Sequence, residues 1–168
     1  MLTPDKLFRA PAHEQYFAYA EAYLDSASRL CQVMARSKRK ATYQRGAVIL
    51  FLTQHGMELF YKGAILRRNP TERWEHGVTK LRKRYKNLYP GKRFEIPELF
   101  KTSYPGFTKA EIAQLERNEL PLHELYRYPE GKAGATWRGL HAFEAKSFYL
   151  GLLDAKEAVK NAIEKINA

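Results

Sequence analysis

Apolar residues recur along this chain at intervals of three and four almost from end to end, and no stretch alternates with period two. Such spacing predicts helices throughout. A first long helix is expected from about Ala12, just after Pro11, to about Ser37, with Tyr16, Tyr19, Ala20, Tyr23, Ala27, Leu30 and Met34 on one face. The basic run Arg36 to Lys40 then reads as its last turn and connection, where cations suit the helix dipole. A second helix, about Thr42 to Arg68, carries Val48, Ile49, Leu50, Phe51, Leu52, Met57, Leu59, Phe60, Ala64, Ile65 and Leu66 around most of its circumference. That marks a central helix packed on several sides. Gly56 and Gly63 in its interior each cost about 1 kcal/mol of helix propensity, so a close helix crossing is expected there.

A third helix is predicted from about Glu75 to Tyr89 on the stripe Val78, Leu81, Tyr85 and Leu88, stopped by Pro90-Gly91. Residues 90 to 107 read as a long connection studded with Phe94, Phe100, Tyr104 and Phe107, with one turn at Glu98-Leu99-Phe100. Thr108-Lys109-Ala110-Glu111 is a capping box opening a short helix to about Asn118. Leu120 to Thr136, broken by Pro121, Pro129, Gly131 and Gly134, reads as irregular. A last helix is predicted from about Trp137 to Ile166, on Leu140, Phe143, Leu150, Leu153, Val159, Ile163 and Ile166. The sum is an all-α, single-domain, up-and-down bundle of four to five helices with a long irregular loop before the last one.

Composition narrows the class. The 168 residues are 45% hydrophobic and 28% charged, as a soluble globular chain requires. The longest apolar run, Ala47 to Leu52, is far short of the roughly 20 residues that cross a bilayer. Met1 to Lys6 contains no apolar signal core, so no secretory segment is expected. One cysteine, Cys31, allows no internal disulfide and no CxxC zinc site, which points to a reducing cytoplasm. Cys31 lies among Leu30, Val33 and Met34 and reads as a small buried hydrophobe.

Charge is unevenly spread. Of 29 Lys+Arg, 16 fall between residues 36 and 93, where only Glu58, Glu72 and Glu75 oppose them. The density peaks at Lys80, Arg82, Lys83, Arg84 and Lys86 on the third helix. A merely solvated face is normally laced with both signs, so this one predicts contact with a polyanion, with Arg73 and His76 at the helix start.

The chemistry-bearing motifs are few. His55 and Glu58 sit three apart with Lys62 one turn on, but no Glu-x-x-His occurs anywhere, so a carboxylate-bridged metal bundle is not expected. Glu58 and Lys62 read as a structural i,i+4 pair. Neither a Gly-x-Ser-x-Gly elbow nor a glycine-rich phosphate loop is present. No cofactor and no metal is expected. Metal-free RNA cleavage needs a group titrating near neutrality and a cation for the phosphorane, and Arg117, Asn118 and His123 offer these at short range.

The stretch Ala47 to Leu66, with His55, Glu58 and Lys62, resembles the second helix of HEPN-like domains. Trp74-Glu75-His76 followed by Gly77 to Leu81, and the turn Tyr126-Arg127-Tyr128-Pro129, resemble further segments of that family. The resemblance implies a four-to-five-helix bundle, often a homodimer, in prokaryotic defence or toxin systems, with an antitoxin-type protein partner in some contexts. Active members are RNases built on an Arg, a polar residue directly after it, and a His beyond four to six intervening residues. Arg117, Asn118 and His123 match that spacing, with Pro121 inside the motif breaking its helical presentation. The reading carried forward is therefore a non-catalytic HEPN-like domain binding nucleic acid or nucleotide through its basic middle third. The alternatives are the metal-independent endoribonuclease and a homodimeric interaction bundle using the apolar loop 94–107.

Overall fold

The computed structural model describes residues 5–72, 77–100, 106–118 and 144–168. Within them every regular element is helical: α1 (Asp5–Arg9), α2 (Ala12–Ala35), α3 (Tyr43–Arg68), α4 (Val78–Leu88), α5 (Lys109–Asn118) and α6 (Ala145–Asn167). The all-α bundle expected from the spacing is what forms. Short 3₁₀ turns at Lys38–Lys40 and Lys92–Phe94 join α2 to α3 and follow α4.

α2 and α3 form the central antiparallel pair. Their approach is set by glycine: a Cβ on Gly56 would lie 2.9 Å from Leu24 Cγ, and one on Gly63 2.8 Å from the Phe17 ring and 3.1 Å from the His13 carbonyl oxygen. Small or flat residues opposite, Ala20 and Phe17, complete the crossing. This demand rotates α2 away from the face its tyrosines suggest. Phe17, Ala20, Leu24, Ala27, Cys31 and Met34 are buried, whereas Tyr19 and Leu30 are each 46% exposed. Tyrosine tolerates that periphery because its phenol stays wet.

α6 runs antiparallel to α2 on another side. The Cys31 thiol donates to the Ala145 carbonyl at 3.4 Å, the Gln32 amide donates to the Tyr149 hydroxyl at 3.0 Å, and Lys156 pairs with Asp25. The helix starts later than the spacing suggests. Glu144 is its N-cap in an extended conformation and accepts from the Lys146 and Ser147 amides at 3.0 and 2.6 Å. Those bonds hold its carboxyl below the usual carboxylate range. The predicted start at Trp137, with Leu140 and Phe143, lies outside the described residues. Of the predicted stripe, Val159 and Ile166 are buried, but Leu150 and Leu153 face outward. Leu152, Ala155 and Ala162 take the inner positions.

Two further boundaries move. α4 begins at Val78, because Gly77 has φ 114° and does not continue a helix. The turn expected at residues 98–100 forms instead at Lys92–Phe94, after Gly91 at φ 104°. Phe94 and Ile96 then sink into the core, so this part of the 90–107 connection is a strap packed on the bundle. Thr42 caps α3, and the Thr108–Glu111 capping box forms as expected, with Thr108 N to Glu111 Oε2 at 2.8 Å and Glu111 N to Thr108 Oγ1 at 3.3 Å.

Between α3, α4 and the strap lies an aromatic cluster. Tyr85 sits 5.3 Å from Phe60, 5.2 Å from Tyr61 and 5.3 Å from Tyr89, and Tyr89 sits 5.3 Å from Phe94. The Tyr85 hydroxyl donates to the Phe94 carbonyl at 2.8 Å and that of Tyr89 to the Ala64 carbonyl at 2.9 Å. Burial pushes the Tyr61 phenol up to about 12 and raises Tyr85 and Tyr89 as well, with Arg68 partly offsetting the effect at Tyr89. A raised folded-state pKa stabilises the fold fully below the unfolded value of about 10, and that contribution fades above it. Stability is therefore expected to fall between about pH 10 and about pH 12. Phenolate absorbance measured beside far-ultraviolet circular dichroism should show these three tyrosines ionising late, together with unfolding. Ionisation of all 11 tyrosines in one phase near pH 10, helices intact, would contradict the packing.

Candidate nucleic-acid interface

α4 has the sequence VTKLRKRYKNL, five cations and no acid in eleven residues. It is held as a helix by Leu81 and Tyr85, four apart and both buried, with Val78 and Leu88 flanking them at partial exposure. The remaining positions divide the charge between two sides.

Lys80 and Arg84 are exposed on one side. Arg84 is locked in a double hydrogen bond to Glu72, Nε to Oε1 at 3.0 Å and Nη2 to Oε2 at 3.1 Å, and the Asn69 amide donates to the same carboxylate at 2.7 Å. The Arg84 and Asn69 bonds hold the Glu72 carboxyl below its ordinary range, and Glu72 in turn raises the Arg84 guanidinium. Arg84 is thus largely neutralised within the chain.

Arg82, Lys83 and Lys86 lie on the other side. Arg82 turns inward: Nη1 pairs with Glu98 at 2.6 Å and Nη2 donates to the Ile96 carbonyl at 3.4 Å, so it pins the strap to α4. Lys83 and Lys86 are exposed, and neither forms an ion pair among the described residues. Of the five cations, these two project with the least internal compensation.

Beside them opens a cleft of about 240 Å³, floored by Met57 and Tyr61 of α3 and walled by Val78 and Thr79 of α4 and by residues 97–100 of the strap. Arg82, Lys83 and Lys86 line its α4 edge. Sequence reading missed this cleft, because its walls come from segments about twenty and forty residues apart. The one available hint was the apolar run of Phe94, Ile96, Leu99 and Phe100 in an otherwise polar connection.

The other expected residues fall as follows. Glu58 and Lys62 form a buried pair on α3 at 2.6 Å, with side chains 8% and 10% exposed. His55 is half-buried, with the Tyr23 ring edge-on at 4.6 Å and the Phe51 ring stacked at 5.8 Å. Among the described residues no group of three or more His, Cys, Asp or Glu is placed to hold a metal ion. Arg117 and Asn118 end α5, their side chains outside what is described, and His123, Arg73 and His76 lie outside the described residues. The structure therefore brings Arg82, Lys83 and Lys86 together; the Arg117, Asn118 and His123 set lies outside the described side chains.

Cys31 is fully buried, and burial pushes its thiol up to about 11, with Glu144 adding to the effect. Thiolate is the reactive form, so at pH 8 the native protein should resist iodoacetamide and react promptly once unfolded in urea. Equal rates in both states, followed by mass spectrometry, would place Cys31 at the surface.

Comparison with protein-family models, with curated proteins and with solved structures finds no match. The fold and site define an all-α domain with a cationic helix along the edge of an apolar cleft. Among the described residues no helix is long and apolar enough to cross a membrane.

Proposed function

We propose that this chain is a non-catalytic HEPN-like helical domain that binds nucleic acid or nucleotide through α4, with exposed Lys83 and Lys86 as the principal phosphate contacts and Lys80 beside them. The observation that carries the reading is the acid-free composition of α4 together with the absence of an ion pair at Lys83 and Lys86 among the described residues. Arg82 and Arg84 contribute field more than contact, since Glu98 and Glu72 engage them. Arg73 and His76 remain part of the proposal as residues near the helix start.

A labelled mixed RNA pool, with EDTA present, tests it by binding and cleavage at several salt concentrations. Each phosphate contact on a single strand contributes about 0.7 to the slope of log affinity against log salt. The double variant Lys83→Gln/Lys86→Gln is expected to flatten that slope by about 1.4 and to weaken binding. An unchanged slope and affinity overturn the reading. Cleavage that survives EDTA replaces it with the endoribonuclease built on Arg117, Asn118 and His123.

A second reading, an interface between two copies, is favoured by Tyr19, Leu30 and Val33, each 46% exposed along α2. In the 94–107 loop, Phe94 and Ile96 are buried and contribute nothing to such an interface. Light scattering across concentrations decides it; a monomer throughout removes the interface.

A further inference from the structure

The cleft beside α4 contains features that phosphate binding alone does not use. Its floor and walls are apolar and partly aromatic, with Met57, Tyr61, Val78, Leu99 and Phe100, and the Phe100 ring is backed by Phe148 at 6.2 Å. Arg82, whose guanidinium pairs with Glu98 and lies beside the Tyr61 phenol, completes the inner part of the lining. Just outside, Lys83 and Lys86 stand three residues apart on the exposed side of α4.

A matching ligand is flat and apolar in its middle and carries negative charge at its outer end. A nucleobase with its phosphate has that arrangement. The size admits a base: about 240 Å³ is a little below the roughly 300 Å³ at which drug-sized pockets begin. A base inside a duplex is stacked on both sides and offers no such plane. Glu98, on the same rim, is paired with Arg82 and so presents little bare negative charge to the incoming phosphate.

We propose that this cleft takes one unpaired nucleobase against its apolar and aromatic lining, with Lys83 and Lys86 holding the attached phosphates. The chain then selects single-stranded over duplex nucleic acid. This deepens the polyanion reading and rests on it.

The test compares a labelled single-stranded RNA with its duplex, and adenosine monophosphate with inorganic phosphate as competitors. Base–aromatic stacking predicts at least tenfold tighter binding of the single strand. Adenosine monophosphate should displace it at concentrations where inorganic phosphate does not. Thr79→Trp, on the exposed cleft wall, should lower single-strand affinity about tenfold and leave the salt slope unchanged, since base contact releases no counterions. The competition experiment uses the native chain and stands whether or not that variant folds. Equal affinity for both strands with Thr79→Trp silent overturns the cleft and leaves the polyanion reading standing. No binding of either strand overturns both, and displacement by polyglutamate but not by adenosine monophosphate assigns the cleft to an acidic peptide instead.

Discussion

Lys62→Met is expected to cost about 3–5 kcal/mol of folding stability, and Glu58→Leu/Lys62→Met to recover most of it. The pair lies in the middle of α3 at 2.6 Å with both side chains about nine-tenths buried. Moving two charges out of water is expensive, and their mutual attraction offsets much of it. Removing the ammonium alone takes the Lys62 half of the pair away from a carboxylate that stays buried. Removing both groups abolishes the desolvation penalty and leaves two apolar chains of similar volume. Urea unfolding followed by circular dichroism reads both effects at unchanged m-value. A single-variant loss below about 1 kcal/mol would show that the pair behaves as an exposed one.

The second large effect is expected at the α2–α3 crossing. Gly56→Ala and Gly63→Ala each gain about 1 kcal/mol of helix propensity. Each also forces a Cβ to within 3 Å of a neighbour, 2.9 Å from Leu24 Cγ in one case and 2.8 Å from two Phe17 ring carbons in the other. Leu24 and Phe17 are 1% and 3% exposed, so neither has an empty direction in which to retreat. The helices must separate, and overpacking of this kind costs typically 1–3 kcal/mol per site. Set against the propensity gain, the double variant should lose up to about 4 kcal/mol net, a fall in Tm on the order of 10 °C for a chain of this size. The strain at Gly63 is specific to the Phe17 ring. Phe17→Leu combined with Gly63→Ala is expected to be less destabilised than the two single losses summed. Strict additivity, or a more stable Gly63→Ala variant, would mean that the helices do not touch there.

What was legible in the sequence follows from how local each determinant is. Thr42, the Thr108–Glu111 box and the glycine pair of α3 act within one turn or through the absence of a side chain, and all three carried through to the structure. The rotation of α2 did not, because Tyr16, Tyr19 and Tyr23 count as apolar in a pattern while the crossing at the glycines selects Phe17 and Leu24. The start of α6 was misplaced because apolar spacing continues back through Phe143 and Leu140, and only the cap at Glu144 reveals the break. Within the candidate site, the cationic helix was plain from composition. The partition of its charge was not: Glu72 and Glu98 lie twelve and sixteen residues from Arg84 and Arg82, and only the folded strap brings Glu98 near. The cleft is likewise a product of tertiary structure.

The strap that closes this cleft is fastened from the inside. Tyr85 holds the Phe94 carbonyl, Arg82 holds Ile96 and Glu98, and Phe94 is buried among the tyrosines. Whatever occupies the cleft must therefore share its free energy with the seating of the strap, because a ligand that needs the wall also stabilises it. In a mutational survey scored by binding, Tyr85 and Phe94 would rank beside Lys83 and Lys86 without touching the ligand. The two groups would separate only when affinity and thermal stability are plotted against each other: the lysines shift one axis, the strap anchors both.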